Sequence, residues 1–123
     1  MKNDKEKFKE DFKNRIYKFV LQLIKFVGGL PKDNSSQVIG RQLLRSGTSV
    51  GANHVEAQAA SSKKDFTNFF HHSLKSANES KFWLNLLRDS GKATQKEIDS
   101  LLQELTEIAN ILGSSLITLK GRK

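Results

Sequence analysis

Along the first 28 residues, apolar side chains recur at intervals of three and four: Phe8, Phe12, Ile16, Phe19, Leu23 and Phe26. On a helix turning about 100° per residue such positions share one side, so the spacing predicts an amphipathic helix over about 4–28. Gly28 and Gly29, followed by Pro31, end it through a left-handed glycine cap and a residue that cannot continue the ladder. Asp33, Asn34 and Ser35 are capping types, and they open a second helix over about 35–60 with Ile39, Leu43, Val50 and Ala57 as its seam. Ser62 and Asp65 have capping-box spacing ahead of a third helix over about 62–89, whose seam is Phe66, Phe70, Ala77 and Leu84. Thr94-Gln95-Lys96-Glu97 is a full capping box for a fourth helix over about 94–118, and Ile98, Leu101, Leu105, Ile108, Leu112 and Leu116 form its single stripe. The tail, 120–123, is expected to fray. Helices of about 25 residues extend about 37 Å each, and short connections between them force antiparallel neighbours. The predicted fold is all-α, one domain over 1–123: an antiparallel up-down-up-down four-helix bundle without internal repeats.

The first and third helices carry more apolar surface than one core needs. Tyr17, Val20, Leu21 and Ile24 lie well round from the Phe8, Phe12 and Phe19 stripe. Phe82 and Leu86 share a face nearly opposite Phe66 and Leu84. Burying a side chain of this size is worth about 1.5–3 kcal/mol, so such faces predict self-association through Tyr17, Leu21, Ile24, Phe82 and Leu86. Gly40, Gly47 and Gly51, on one side of the second helix, each cost roughly 1 kcal/mol relative to alanine, which a close helix–helix approach in that packing would offset. Gly47 and Gly51 also have the spacing of a membrane dimer motif, but Arg41 and Arg45 beside them reject a bilayer setting.

Composition narrows the function classes. There is no cysteine, which excludes a disulfide framework, a thiol nucleophile and a thiolate zinc site. The charged start, Met1-Lys2-Asn3-Asp4-Lys5-Glu6, lacks an apolar signal core, and the most apolar stretch, 19–27, is too short to span a bilayer. A cytoplasmic location is expected. Net charge is +8, and residues 1–32 hold nine Lys/Arg against four Asp/Glu. A basic helix facing water attracts polyanions, although the same charge also serves simple solubility.

Candidate chemistry is sparse. His71 and His72 are adjacent and diverge on a helix, His54 has no ligand partner at i+4, and no Glu-x-x-His occurs, so no metal site or cofactor is predicted. Phosphate-loop, nucleophile-elbow and zincin motifs are missing, and no catalytic residue is assigned. A polar row on the second helix, Arg45, Ser49, Asn53 and Glu56, points one way, with Glu56 or Glu79 available to answer Arg45. It reads as a buried, hydrogen-bonded layer that sets register, more than as a ligand-facing row. A helix-turn-helix over 42–58, turning at Ser46-Gly47, is a rival that Asn53 argues against, because that position should be apolar.

The run Arg41-Gln42-Leu43-Leu44-Arg45-Ser46-Gly47-Thr48-Ser49-Val50-Gly51-Ala52-Asn53-His54-Val55-Glu56-Ala57 resembles the signature of a bacterial four-helix-bundle family. That family was first named for proteins encoded in intervening sequences of 23S ribosomal RNA genes. Phe69-Phe70 and Ser76-Ala77-Asn78-Glu79 are similar to its second signature, and the resemblance spans about residues 8–118. Gln58 departs from the family's glycine, which would let the second helix run slightly longer. The resemblance implies a homopentamer and kinship to the accessory variability determinant of diversity-generating retroelements, a basic pentamer that binds nucleic acid and associates with a reverse transcriptase. Arg45, Ser49, Asn53, Glu56 and Glu79 match the family's polar signature, whose role is not established as catalytic.

Two readings follow. In the first, a non-enzymatic oligomer binds RNA or DNA backbone through Lys9, Lys13, Lys18 and Lys25, with Arg41, Lys63 and Lys64, and without base stacking, since few aromatics interleave with these lysines. In the alternative, the oligomer is a protein-interaction scaffold with no nucleic-acid role.

Overall fold

The computed structural model describes residues 2–121. Four helices account for most of them: α1 (Asp4–Gly28), α2 (Asn34–Gln58), α3 (Lys63–Asp89) and α4 (Gln95–Gly121). Each helix packs on its neighbours in sequence, α1 closes the ring by approaching α4, and the diagonal pairs meet only through side chains in the shared core. This is the expected up-down-up-down bundle. α2 runs unbroken through Ser46 and Gly47, so there is no helix-turn-helix.

Local chemistry explains the helix starts. Asn3 accepts from the Glu6 amide at 2.8 Å, Asp33 from Ser36 at 3.2 Å, Ser62 from Asp65 at 3.1 Å and Thr94 from Glu97 at 3.2 Å. Each satisfies an amide that the first turn leaves without a helical partner. Asp33 also takes hydroxyl bonds from Ser35 and Ser36 and an ion pair from Lys92 at 3.1 Å, and these hold its carboxyl well below the usual carboxylate range.

The ends depart from the expectations in three places. Gly29 caps α1 at φ −95°, in the right-handed region, and the left-handed residue is Gly91 at φ +74°. There the Lys92 amide reaches the Leu87 carbonyl at 2.9 Å and the Gly91 amide the Arg88 carbonyl at 3.1 Å, a Schellman closure of α3. α2 stops at Gln58, so the residue in place of glycine does not lengthen it. α4 continues through Lys120 and Gly121; the rest of the predicted frayed tail, 122–123, lies outside the described residues.

The core is the predicted set of seams with some exchanges. Phe12, Ile16, Phe19 and Leu23 of α1 are buried, as are Leu43, Val50 and Ala57 of α2, Phe70, Ala77 and Leu84 of α3, and the α4 stripe. Phe8, expected in the core, is 57% exposed, because the bundle opens at its first turn. Val20, expected on the outside, packs against the core beside Gly51. The glycine face of α2 is used within the chain. Gly40 faces Leu30 and Val27, Gly47 faces Leu23, and Gly51 faces Ile16 and Val20, so α1 and the loop after it, not a second copy, fill that groove.

α2 and α3 form the most extensive contact, and small polar residues line it. Ser46 and Ser80 share a hydrogen bond of 2.7 Å, and the Ser73 hydroxyl donates to the Val50 carbonyl at 2.8 Å. Among the described residues no buried side-chain nitrogen or oxygen lacks a partner. Ion pairs join the other helices: Arg15 grips Glu104 with two nitrogens at 2.7 and 2.8 Å and reaches Glu107 at 3.0 Å, and Arg88 reaches Asp99 at 3.2 Å. The Arg15 fork lowers the Glu104 carboxyl's pKa against the opposing effect of burial.

Candidate functional site

The cations predicted to contact phosphate are all exposed, yet they do not converge. At about 100° per residue, Lys9 and Lys13 form one row on α1, and Lys18 and Lys25 form another about 140° further round. Lys63 and Lys64 open α3 at the bundle end that also holds Lys9, whereas Arg41 and Lys25 lie towards the opposite end. Between the two lysine rows of α1 runs the apolar strip.

That strip is left in water by the single chain, as its periodicity predicts. Tyr17 is 66% exposed, and Leu21 and Ile24 are about half exposed; Tyr17 and Val55 share a groove between α1 and α2. On α3, Phe82 is 55% exposed and rests edge-on against Trp83 at 5.0 Å, with Leu86 exposed one turn on. α1 and α3 stand diagonally across the bundle, so these are two separate patches.

The polar row corrects its expected role. It is not a buried layer: Arg45 and Glu56 are exposed, and Ser49 and Asn53 are half-buried. Ser49 donates to the Arg45 carbonyl at 2.9 Å and Asn53 to the Ser49 carbonyl at 2.9 Å, both within α2. Glu79, not Glu56, answers Arg45, and the same carboxylate accepts from the Trp83 indole at 2.9 Å. The buried polar layer is made by Ser36, Ser46, Ser73, Ser80 and His54 instead. Their spacing was the available signal: His54 lies four residues after Val50 and three before Ala57, on the core seam. Polarity alone kept these residues off the predicted core.

His54 is 4% exposed and packs between Phe12 at 5.3 Å and Phe70 at 5.7 Å. Burial holds its pKa below the ordinary value of about 6.5, and the charge of Lys13 pushes the same way. In the unfolded chain it therefore takes up a proton at a higher pH than in the fold. Stability from this group is complete above pH about 6.5 and is lost as pH falls below that value. The melting temperature should rise between mildly acidic and neutral pH, and His54→Gln should flatten that rise. An unchanged slope in the variant would place the titration elsewhere.

Among the described residues no group of three His, Asp or Glu side chains is arranged to share a metal ion, and no helix is long and apolar enough to cross a membrane. The functional surface is therefore described by its exposed cations, its two apolar patches and an aromatic cavity at one end, lined by Phe8, Phe12, Phe66, Phe70 and His54.

No match was found among curated protein sequences. A crystal structure of a protein of unknown function from the S23 ribosomal protein family of Bacteroides thetaiotaomicron is similar, at 35% identity with a TM-score of 0.81. The match covers 85% of this chain and 97% of that one, so the bundle topology is shared over nearly its whole length. The family model described as 23S rRNA-intervening sequence protein matches residues 9–114, which takes in all of α2 and α3 and most of α1 and α4. The chain therefore belongs to the 23S rRNA-intervening sequence protein family.

Proposed function

We propose that this chain is a non-enzymatic subunit of a homo-oligomer, a pentamer in keeping with the family resemblance, whose basic outer surface holds the backbone of RNA or DNA. The observation that carries the reading is the exposed face of α1, where Tyr17, Leu21 and Ile24 run between two rows of lysines. An apolar strip of this kind is sealed by a neighbouring molecule, which leaves the flanking cations on the rim. Two different patches on diagonally opposed helices suit a head-to-tail contact, in which the α1 patch of one copy meets the α3 patch of the next. Contacts of that kind close into a ring when the rotation from one copy to the next divides a full turn. A ring multiplies the +8 charge of each chain, and a polyanion bound along it releases counterions.

Fluorescence anisotropy with structured RNA and duplex DNA tests this. Binding should be tolerant of sequence, evident at about 50 mM salt, and weaker by orders of magnitude at about 200 mM. Lys18→Glu with Lys25→Glu should weaken it for every sequence and reduce the salt slope by about two. No binding at micromolar protein in low salt would end this reading.

The separation of the cations into rows and ends favours the alternative, a scaffold for another protein. A reverse transcriptase is the partner that the resemblance suggests. Recovery of one stoichiometric acidic partner, with no nucleic acid in the purified sample, is the result that would select it.

A further inference from the structure

At one end of the bundle the N-termini of α1 and α3 meet the C-termini of α2 and α4 around a cavity of about 530 Å³. Its apolar wall is aromatic on the α1 and α3 sides and is completed by Ile111 and Leu119 of α4. Phe8 and Phe12 stack with ring centroids 6.5 Å apart on α1, and Phe66 and Phe70 stack at 4.7 Å on α3. A cavity of this size, mainly apolar with a few polar groups, has the make-up of a small-molecule site.

Three observations distinguish it from loose packing. His54 lines the cavity, is 4% exposed, and makes no hydrogen bond to any described residue. Buried polar groups are ordinarily paired, and no fully enclosed nitrogen or oxygen here lacks a partner. His54 borders both this cavity and the adjoining α1–α2 groove, the two spaces from which a ligand would reach its ring. Charge is the second observation. Lys5 and Lys9 stand one turn apart at the mouth beside Phe8, and no Asp or Glu is among the described residues lining the space. The third is Phe8 itself, a large ring held at the mouth and more than half exposed, whose burial against a ligand would be favourable.

We propose that this end cavity binds a small aromatic carboxylate: the ring lies among Phe8, Phe12, Phe66 and Phe70, the carboxylate faces Lys5 and Lys9, and a polar ring edge bonds to His54. The charge pattern selects an anion over a cation, and the aromatic wall selects a planar apolar body over a sugar phosphate. This assignment does not depend on nucleic-acid binding, although Lys9 serves in both.

The test is an NMR titration of the full isotope-labelled chain with indole-3-acetate, in parallel with tryptamine and adenosine monophosphate. Indole-3-acetate should shift the His54 ring and the Phe8 and Phe66 resonances saturably below millimolar concentration. Tryptamine should bind about tenfold more weakly or worse, and Lys5→Glu with Lys9→Glu, both on the exposed surface, should weaken indole-3-acetate by a similar factor with the helical signal intact. His54→Gln should weaken it while the lysine contacts remain. Absence of saturable shifts at these residues, equal affinity for tryptamine, or tighter capture of adenosine monophosphate in the same cavity would overturn the assignment.

Discussion

Replacing Gly47 with valine should destabilise the bundle by about 3 kcal/mol, the cost of overpacking a filled core site. A Cβ built on Gly47 overlaps Leu23 Cδ2, and Leu23 is fully buried. Ser80 lies on the other side with its hydroxyl 3.9 Å away, already bonded to Ser46. Neither neighbour has room to retreat, so α1 must move off α2 or the Leu23 side chain must leave its rotamer. Gly51→Ala is the control. Its Cβ would sit 3.5 Å from Ile16 and 3.6 Å from Val20, ordinary contact distances, and the helix-propensity gain of about 1 kcal/mol should appear as added stability. Urea unfolding followed by circular dichroism, at one fixed protein concentration, separates the two outcomes. Equal stability of Gly47→Val and the parent chain would mean that α1 and α2 do not approach as described.

The second large effect is on assembly. Phe82→Glu with Leu86→Glu should reduce the mass measured by light scattering from that of an oligomer to that of the single chain. The helical signal should stay unchanged, since both side chains already face water in the isolated bundle. Two charges placed in an apolar contact must be desolvated without partners, which costs several kcal/mol on top of the lost burial of the Phe82 ring and the Leu86 side chain. Tyr17→Glu should act in the same direction through the other patch. Retention of the native mass by both variants would remove these surfaces from the interface.

Much of the fold was readable because helix periodicity and capping are local. Asp33, Ser62 and Thr94 cap the helices that their residue types announced, and the single stripe of α4 is the stripe that is buried. The exposed patches at Tyr17 and Phe82 were readable for a related reason: one side chain cannot face the core from every angle of a helix. The candidate site was less legible. Phe8 follows the same spacing as Phe12, and nothing in that spacing says that the bundle opens at its end. His54 and the buried serines were passed over because polarity argues for the surface until a partner across the helix pair is known.

What the chain determines by itself is which residues form helices, where those helices begin, and which side of each is greasy. These depend on neighbours within about one turn. Tertiary structure alone decided that the glycines of α2 admit α1 and that Glu79 rather than Glu56 meets Arg45. It also decided that Lys5, Phe8 and His54 share a cavity. Each of these depends on how residues far apart in sequence are rotated and brought together, and that is set by packing whole helices against one another.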